Sequence, residues 1–245
     1  MIFSLFGKKK ESVLAPQLLV DVHSHLLPGI DDGSKSIEES ISLLKAIQNI
    51  GYKKIITTPH VMSDAYPNTP QIIYNALNTL RVEAEKNEIL LDIEAAAEYY
   101  IDDSFITHLK KRDILTINDK YLLFETSYFA KPLQLEDIIF EMTSLGYTPL
   151  MAHPERYRYV KDSLKEYSRF KELGVMFQVN INSLGGFYGR DAKSKSEFLA
   201  KEGMIDFLGS DIHGMKQVET ISTVFQSNLY NEVYKHNTIL NNTLL

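Results

Sequence analysis

Seven short apolar runs recur along the chain, and each is followed by a longer segment with helical periodicity. The runs are QLLVDVHSH (17–25), YKKIITTPH (52–60), LDIEAAAEYY (91–100), KYLLFETS (120–127), YTPLMAH (147–153), VMFQVNIN (175–182) and IDFLGSDIH (205–213). Their length and their Val, Ile, Leu and Phe content are typical of strands buried on both faces. Strands that alternate with helices in this way predict a parallel sheet with helices outside it.

The segments between the runs carry helix signals. Ser36 lies three residues before Glu39 in a capping box, and Gly51 ends the helix that follows. A Thr-Pro pair at 69–70 opens a second helix that runs to residue 88. Further helices are predicted at 103–111, 133–145, 163–173, 191–202 and 216–235. An open doubly wound sheet and a closed barrel both fit seven such units, and the lack of a linker or repeat favours one domain.

Composition narrows the chemistry. The 245 residues are 44% hydrophobic and 24% charged, as in ordinary globular proteins, and the net charge of -6 argues against a nucleic-acid partner. The chain has no cysteine, which excludes disulfides, thiolate metal sites and a cysteine nucleophile. No stretch approaches the roughly 18 consecutive apolar residues of a membrane span. We therefore expect a cytoplasmic protein.

The first residues, MIFSLFGKKK, place apolar positions before basic ones, which reverses the order of a secretory signal. Phe3, Leu5 and Phe6 ahead of three lysines form either a weak interfacial anchor or a locally docked terminus. We favour the docked terminus. We interpret residues 1–17 as an N-terminal extension and 18–245 as the functional domain.

Polar side chains occupy the ends of the seven runs. They are His23, His25, His60, Glu98, Glu125, His153, Asn180, Asn182, Asp211 and His213. Because the carboxyl ends of parallel strands surround the active site, we expect five histidines and three carboxylates to meet at one rim. The two other histidines, His108 and His236, lie in charged helical surroundings and are predicted to be surface residues.

The spacing of these residues indicates a metal centre. His-x-His at 23–25 and Asp-x-His at 211–213 each place two side chains on one side of a strand, as two ligands of one metal require. Taken singly, each pattern fits packed histidines about as well. Together, five imidazoles and several acids would be costly to bury without a cation. Imidazole and carboxylate without thiolate favour Mn, Fe, Zn or Co, and so many donors indicate two or three ions. Such sites typically activate water for hydrolysis.

Arg156 adds a hint about the substrate. It follows His153 by three residues in the segment HPER, where its guanidinium is able to grip a phosphate bidentately. The alternative is a surface arginine paired with Glu155 or Asp162. Metals beside a phosphate-seeking arginine fit a phosphoester substrate.

Five motifs together resemble the polymerase-and-histidinol-phosphatase (PHP) superfamily. They are HSHLLPGIDDG (23–33), TTPH (57–60), AEYY (97–100), AHPER (152–156) and SDIH (210–213). Within that superfamily they resemble the bacterial manganese-dependent protein-tyrosine phosphatases of the CpsB/YwqE type. The motifs occur in family order over residues 21–213, and HSHLLPGIDDG is the most specific of them.

The resemblance implies a distorted (β/α)7 TIM-like barrel, in a single PHP-type domain, that holds up to three metal ions. Mn²⁺ is the first choice, with Fe, Zn, Co or Mg as alternatives. By motif, the first ion is held by His23, His25, Glu98 and Asp211. Glu98 bridges to a second ion that is completed by Glu125 and His153, and the third ion is held by Asp32, His60 and His213. Asp31, beside Asp32, is expected to fix the turn.

The implied reaction is phosphotyrosine hydrolysis by a metal-activated hydroxide, without a phosphoenzyme. Arg156 binds the phosphate, Asp211 belongs to the catalytic metal site, and either His213 or a metal-bound water supplies the proton. The implied partner is a phosphotyrosine protein, the tail of a bacterial tyrosine autokinase in capsule or exopolysaccharide synthesis. That partner would make the cytoplasmic enzyme peripheral at the inner membrane.

Two departures and three alternatives bear on this interpretation. Some twenty residues precede His23, and the second arginine that many members carry after Asp-x-His is absent, so Lys216 is its candidate replacement. The alternatives are a phosphatase of histidinol phosphate or another small phosphomonoester, a non-catalytic metal-stabilised scaffold, and a DNA-directed phosphoesterase, which the charge disfavours. Several tyrosines near strand ends either stack on the substrate ring or are ordinary aromatics: Tyr99, Tyr100, Tyr128, Tyr157 and Tyr159.

Overall fold

Every strand pair in the computed structural model, which describes residues 17–245, is parallel. The strands are β1 (Val20–Asp21), β2 (Lys54–Thr57), β3 (His60–Val61), β4 (Asp92–Ala95), β5 (Glu98–Tyr100), β6 (Tyr121–Glu125), β7 (Thr148–Ala152), β8 (Met176–Asn180) and β9 (Phe207–Gly209). β2 and β3 are parts of one predicted run, interrupted at Pro59, which has no N–H for the ladder. β4 and β5 divide another run, so the segments correspond to the seven predicted strands.

The last strand returns to the first. The two sheets have the orders β1-β2-β4 and β3-β5-β6-β7-β8-β9. Ser24 and Ile212 form a parallel bridge, and the His25 amide donates to the carbonyl of Ile212 at 3.0 Å. The Asp211 amide donates to the carbonyl of His23 at 2.8 Å. These bonds close the sheet into a barrel, which confirms the distorted (β/α)7 fold and decides against the open sheet.

Helices cover the outside of the barrel. They are α1 (Ile37–Asn49), α2 (Pro70–Lys86), α3 (Asp103–Lys111), α4 (Leu135–Ser144), α5 (Ser163–Glu172), α6 (Ile181–Leu184), α7 (Arg190–Lys201), α8 (Met215–Phe225) and α9 (Asn228–His236). Ser36 caps α1 as predicted, because its Oγ accepts from the Glu39 amide. The Glu39 side chain accepts from the Lys35 amide and not from the Ser36 amide of a full capping box. The single helix predicted over 216–235 is wrong: Ser227 Oγ accepts from the Tyr230 amide and starts α9 as a separate helix.

Alternate strand residues build two apolar layers. Leu123 of β6 packs with Val20, Ile56 and Phe207 in the smaller of two buried clusters. Leu122, its neighbour on the same strand, belongs to the larger cluster that the helices share. Because successive side chains of a strand point to opposite faces, the smaller cluster fills the barrel and the larger one lies beneath the helices. Burial on both faces explains the nearly continuous apolar runs.

Several predictions concern the surface and the terminus. His236 is about half exposed, as predicted, whereas the side chain of His108 is only 24% exposed and lies 3.6 Å from Asp113. Residues 1–16 lie outside the described residues, so the N-terminal extension, its anchor or docked form, and the boundary at 17 stay predictions. Within residues 17–245, no helix combines the length and the apolar content that crossing a membrane requires.

Candidate metal centre

The predicted ligands meet at the carboxyl-terminal end of the barrel. They are His23, His25, Asp32, His60, Glu98, Glu125, His153, Asp211 and His213. Most of them are buried, and Asp32 is the most open, with 48% of its side chain exposed. Their donor atoms form four overlapping groups, each within 4.8 Å. Eight of these residues stand at the ends of the predicted strands, while Asp32 lies in the loop after β1 and is predicted only by the motif.

The two rings of the His-x-His motif point their lone pairs at each other. His23 Nδ1 lies 2.6 Å from Gln178 Oε1, and His25 Nδ1 lies 2.8 Å from Asp31 Oδ2. Since both partners are acceptors, each Nδ1 carries a proton, and in the neutral ring each Nε2 keeps a lone pair. The two Nε2 atoms are 3.2 Å apart. A cation between them removes this repulsion, so the pair fits a metal.

Glu98 is the carboxylate that most of the cluster shares. Its Oε2 lies 3.3 Å and 3.4 Å from the Nε2 atoms of His23 and His25, and 3.1 Å from His60 Nδ1. Its Oε1 lies 2.9 Å from His153 Nε2. Among the described residues, buried Glu98 Oε2 and His60 Nδ1 have no hydrogen-bond partner of good geometry. Buried groups left in this state are rare in native proteins, and a metal ion bound between them would satisfy both atoms.

Asp211 divides its two oxygens between protein and cluster. Oδ2 accepts from Arg156 Nη1 at 2.9 Å, from Asn180 Nδ2 at 2.7 Å and from the Tyr188 hydroxyl at 3.1 Å. Oδ1 faces the imidazoles and lies 3.6 Å from His23 Nε2 and 3.5 Å from His25 Nε2. One oxygen is thus fully occupied by donors, and the other is left for a cation.

His213 and Asp32 form the open side of the cluster with His60. Asp32 Oδ1 lies 3.4 Å from His60 Nε2 and 3.3 Å from His213 Nε2. His213 Nδ1 lies 3.0 Å from the carbonyl of Asp211, so it donates there and leaves Nε2 as the free lone pair. This tautomer favours a ligand role for His213 over that of proton donor.

The four groups overlap the predicted ligand sets without reproducing them. His23, His25 and Asp211 form one group, as in the predicted first set. Glu98 forms one group with His23 and His153, and another with His60 and Glu125. The resemblance instead places Glu125 and His153 on the same ion. Two of the four groups share Glu98, which is consistent with a bridging carboxylate. The assignment of each ligand to a particular ion stays a prediction.

The electrostatics of the cluster favour cations. Burial lowers the pKa of His60, but the charge of Glu98 outweighs it and raises the pKa to about 10. Burial raises the pKa of Asp211, but hydrogen bonding by His25 and the charge of His23 hold it well below its ordinary value. The acids are therefore ionised, and without metals they draw protons onto the imidazoles. A divalent cation replaces those protons on binding.

Backbone geometry at the cluster is specialised. His153 and Asp211 both adopt positive φ, 34° and 49°, a conformation uncommon for residues other than glycine that is often found at functional sites. A Cβ on Gly33 would lie 2.1 Å from the carbonyl oxygen of His25, so only glycine lets the loop fold back over this ligand. That contact gives the last glycine of HSHLLPGIDDG its structural role.

A cavity of about 550 Å³ opens above the cluster. Its floor includes proposed ligands, and its walls carry Tyr66, Tyr100, Tyr128, Phe129 and Tyr188. Arg156 lines the same cavity, with its guanidinium carbon 4.6 Å from the ring centre of Tyr128 and 4.2 Å from that of Tyr188. The two rings hold the guanidinium in place between them.

Arg156 does not make the surface pairs that were its alternative. Glu155 is buried and accepts from the Asn180 amide and the Ser183 hydroxyl, and Asp162 caps α5 through the Lys165 amide. The partner of Arg156 is Asp211, in the cluster itself. The position fits a phosphate-binding arginine, whose role stays a prediction.

The tyrosines divide between the two interpretations. Tyr100 and Tyr128 line the cavity. Tyr99 and Tyr157 are buried and accept hydrogen bonds from backbone amides through their hydroxyls, and Tyr159 stacks on Tyr157.

Lys216 is exposed, and its ammonium lies 5.7 Å from the ring centre of Phe187. It is not among the residues that line the cavity, whereas its neighbour Gln217 is.

Residues that orient the ligands escaped the sequence argument. Asp31 fixes its turn as predicted, through the Gly33 amide, but it also orients His25. Gln178 links His23 to Asn180, since its Nε2 donates to Asn180 Oδ1 at 2.9 Å. The signal for Gln178 was available: it is a polar residue in the middle of an apolar run. Tyr188 had none, because it lies in an irregular segment far along the chain.

The fold and site define a single-domain parallel β/α barrel with a histidine- and carboxylate-lined centre of the kind that binds several metal ions. The family profile for capsular polysaccharide synthesis, CpsB/CapC, matches residues 19–239. The chain therefore belongs to the CpsB/CapC family, as its motifs predicted.

Individual relatives agree. The chain is 32% identical over 199 residues to the tyrosine-protein phosphatase YwqE of Bacillus subtilis, an alignment covering 81% of this chain and 78% of that protein. It is 31% identical to the putative tyrosine-protein phosphatase CapC of Staphylococcus aureus, over 80% of this chain and 78% of that one. It is 29% identical to the tyrosine-protein phosphatase CpsB of Streptococcus pneumoniae, over 80% and 84%.

Two solved structures have a similar fold. A structure from work on YwqE of Bacillus subtilis and CpsB of Streptococcus pneumoniae, described there as metal-dependent tyrosine phosphatases, superposes with a TM-score of 0.78 at 29% identity. The match covers 90% of this chain and 96% of that one. An inactive dihydroorotase-like domain of Chaetomium thermophilum gives a TM-score of 0.51 at 14% identity, over 79% of this chain and 63% of that one, which shows the fold alone.

Proposed function

We propose that this protein is a metal-dependent protein-tyrosine phosphatase that uses Mn²⁺ at the cluster. One observation carries the proposal: a cavity of about 550 Å³ with aromatic walls has the metal-binding cluster at its floor and Arg156 at its side. This arrangement matches an aromatic phosphate ester, whose ring lies along the walls while its phosphate meets the cations. The names of the relatives point to the same activity.

Two to three ions would be held by the nine residues of the cluster. Divalent cations in such a site lower the pKa of water, orient the phosphate and stabilise the charge that develops on it. The absence of cysteine removes the phosphocysteine route. In the proposed reaction water attacks phosphorus, the bond to the phenol oxygen breaks, and the proton that the water loses ends on the released tyrosine or in solvent. Tyrosine has a pKa of about 10, so its phenolate leaves without an obligatory strong acid.

The chain contributes position and charge. Arg156 has one nitrogen on Asp211, and the rest of its planar fork remains for phosphate oxygens. Its stacking between Tyr128 and Tyr188 fixes the plane of that fork before the substrate arrives. Asp31 and Gln178 hold the Nε2 atoms of the His-x-His pair toward the cluster, so the ligands need little reorganisation.

The substrate we propose is a phosphotyrosine protein, the tail of a bacterial tyrosine kinase in capsule or exopolysaccharide synthesis. Family membership links the chain to capsular polysaccharide synthesis, which supports this choice. We place the enzyme in the cytoplasm, at the inner membrane only through that partner.

Initial rates on a phosphotyrosine peptide and on histidinol phosphate test the proposal, with Asp211→Asn as the matched inactive variant. We expect the wild type to prefer the peptide by a large factor in kcat/KM, and the variant to lose activity on it. A large preference for histidinol phosphate would replace the proposal by a small-molecule phosphatase. Failure of the wild type on both substrates, with metal bound, would favour a scaffold.

A further inference from the structure

A second cavity, of about 190 Å³, adjoins the first across Arg156. Four residues line both of them: Tyr128, Phe129, Arg156 and Tyr188. A part of the substrate that extends from a phosphate at Arg156 past these shared residues therefore enters the second cavity. Its size suits a side chain of a peptide rather than a second small substrate.

Arg158 gives this second cavity its charge. It lines the cavity and is exposed, and its guanidinium carbon lies 5.2 Å from the ring centre of Phe129, which is itself 71% exposed. The Arg158 amide donates to the carbonyl of Tyr128 at 2.7 Å, so its backbone is tied to the wall of the first cavity. Among residues 17–245, no carboxylate lies within salt-bridge distance of its guanidinium.

The acid at this cavity is paired with a lysine of the same helix. Asp191 lies 2.8 Å from Lys195 Nζ, and that ammonium also donates to the carbonyl of Tyr157. Lys195 is almost fully buried, with 8% of its surface exposed, which holds its ammonium in place, while 69% of the Asp191 side chain is exposed. Of the charged groups that line this cavity, Arg156 is paired with Asp211 and Asp191 with Lys195, so among residues 17–245 Arg158 carries the lining charge that has no ion-pair partner, although the protein as a whole carries -6.

We infer that the second cavity is a specificity subsite that takes an acidic side chain next to the phosphotyrosine, with Arg158 as the residue that selects it. The inference rests on the proposed phosphatase activity and adds the kind of peptide that the enzyme prefers. The exposed ring of Phe129 and the guanidinium of Arg158 lie side by side, which suits an acidic side chain of a short extended peptide. The methylene groups of that side chain contact Phe129, and its carboxylate binds Arg158.

Peptides that differ only beside the phosphotyrosine test this inference. One has glutamates at the two positions before it, one has glutamates at the two positions after it, and one has alanines at all four. Because an exposed ion pair is worth little, we expect kcat/KM for one glutamate peptide to exceed that of the alanine peptide by about 2- to 5-fold, through a lower KM.

Charge reversal at the subsite makes the test specific. In Arg158→Glu the preference should invert, and a lysine-flanked peptide should be cleaved better than the glutamate peptide. Lys161→Glu makes the same charge change on an exposed side chain that lines neither cavity, and it should keep the wild-type preference. Thermal unfolding of both variants checks that the fold is retained.

The outcomes separate the two proposals. Equal cleavage of all peptides by the wild type overturns the subsite and leaves the phosphatase intact. A preference that Arg158→Glu and Lys161→Glu reduce equally also overturns the subsite, because it then reflects the overall charge. No cleavage of any phosphotyrosine peptide by the metal-loaded wild type overturns both proposals.

Discussion

Asp31 contacts a proposed ligand, His25, and is not itself among the proposed ligands, which makes it a sensitive test of the metal centre. Its Oδ2 accepts from His25 Nδ1 at 2.8 Å and from the His60 amide at 3.2 Å, and its Oδ1 accepts from the Gly33 amide at 2.9 Å. Both oxygens are thus engaged by donors, and the carboxylate is buried. Asp31→Asn keeps the size of the side chain but replaces one acceptor with a donor.

Neither orientation of the new amide satisfies these partners. With its nitrogen toward His25, the imidazole must accept at Nδ1, and its proton moves to Nε2, which faces the cluster. With its nitrogen toward Gly33, two N–H groups oppose each other. Loss of such an orienting partner typically weakens metal binding by about 10- to 100-fold, which corresponds to roughly 1.4 to 2.7 kcal/mol.

Calorimetric titration of the metal-free protein with Mn²⁺ measures this effect, with the Mn²⁺ dependence of phosphotyrosine hydrolysis as a second readout. Asp64→Asn is the matched control, because it removes the same charge from an exposed side chain on the turn after β3. We expect Asp31→Asn to need more Mn²⁺ in both assays and Asp64→Asn to resemble the wild type. An Mn²⁺ affinity of Asp31→Asn equal to that of the control would refute the role assigned to this carboxylate.

Three further predictions address other parts of the account. Asp102→Ala should lower the free energy of unfolding by about 1 kcal/mol in urea titrations, since it removes the cap of α3 at the Phe105 amide. Burial raises the pKa of Asp102, but hydrogen bonds from Ser104 and Ser63 outweigh this effect and lower it. The difference in the free energy of unfolding between wild type and variant should therefore be largest near neutral pH and should decrease as the pH falls through the lowered pKa. Arg156→Ala should reduce kcat/KM on a phosphotyrosine peptide by about 100-fold or more while bound metal, measured by elemental analysis, is retained. Iodoacetamide should leave hydrolysis unchanged; inactivation by it would point to a modified residue other than cysteine.

The strands, and the meeting of most proposed ligands at one end of the barrel, were predictable because they depend on local patterns. Burial on both faces of a parallel strand produces a nearly continuous apolar run, and the change to polar residues marks its carboxyl end. The alternation of strand side chains predicted a common side for His23 and His25, which lie just beyond β1 on either side of the bridged residue Ser24. The common end of parallel strands then brings distant residues such as Glu98 and Asp211 together without any knowledge of the loops.

The rest depends on contacts between distant segments. The break between α8 and α9 has no proline or glycine to mark it, and only the cap formed by Ser227 separates two helices with similar amphipathic patterns. The stacking of Arg156 between Tyr128 and Tyr188 joins three segments whose spacing along the chain carries no periodic signal. The grouping of ligands around Glu98 likewise depends on rotamers that the sequence pattern does not encode.

The central claim is that the cluster holds the cations on which phosphotyrosine hydrolysis depends. The most direct test measures metal content and hydrolysis of a phosphotyrosine peptide on the same sample, before chelation, after it, and after Mn²⁺ is added back. The account predicts that activity falls with the bound metal and returns with Mn²⁺. Undiminished hydrolysis by protein that elemental analysis shows to be metal-free would contradict it.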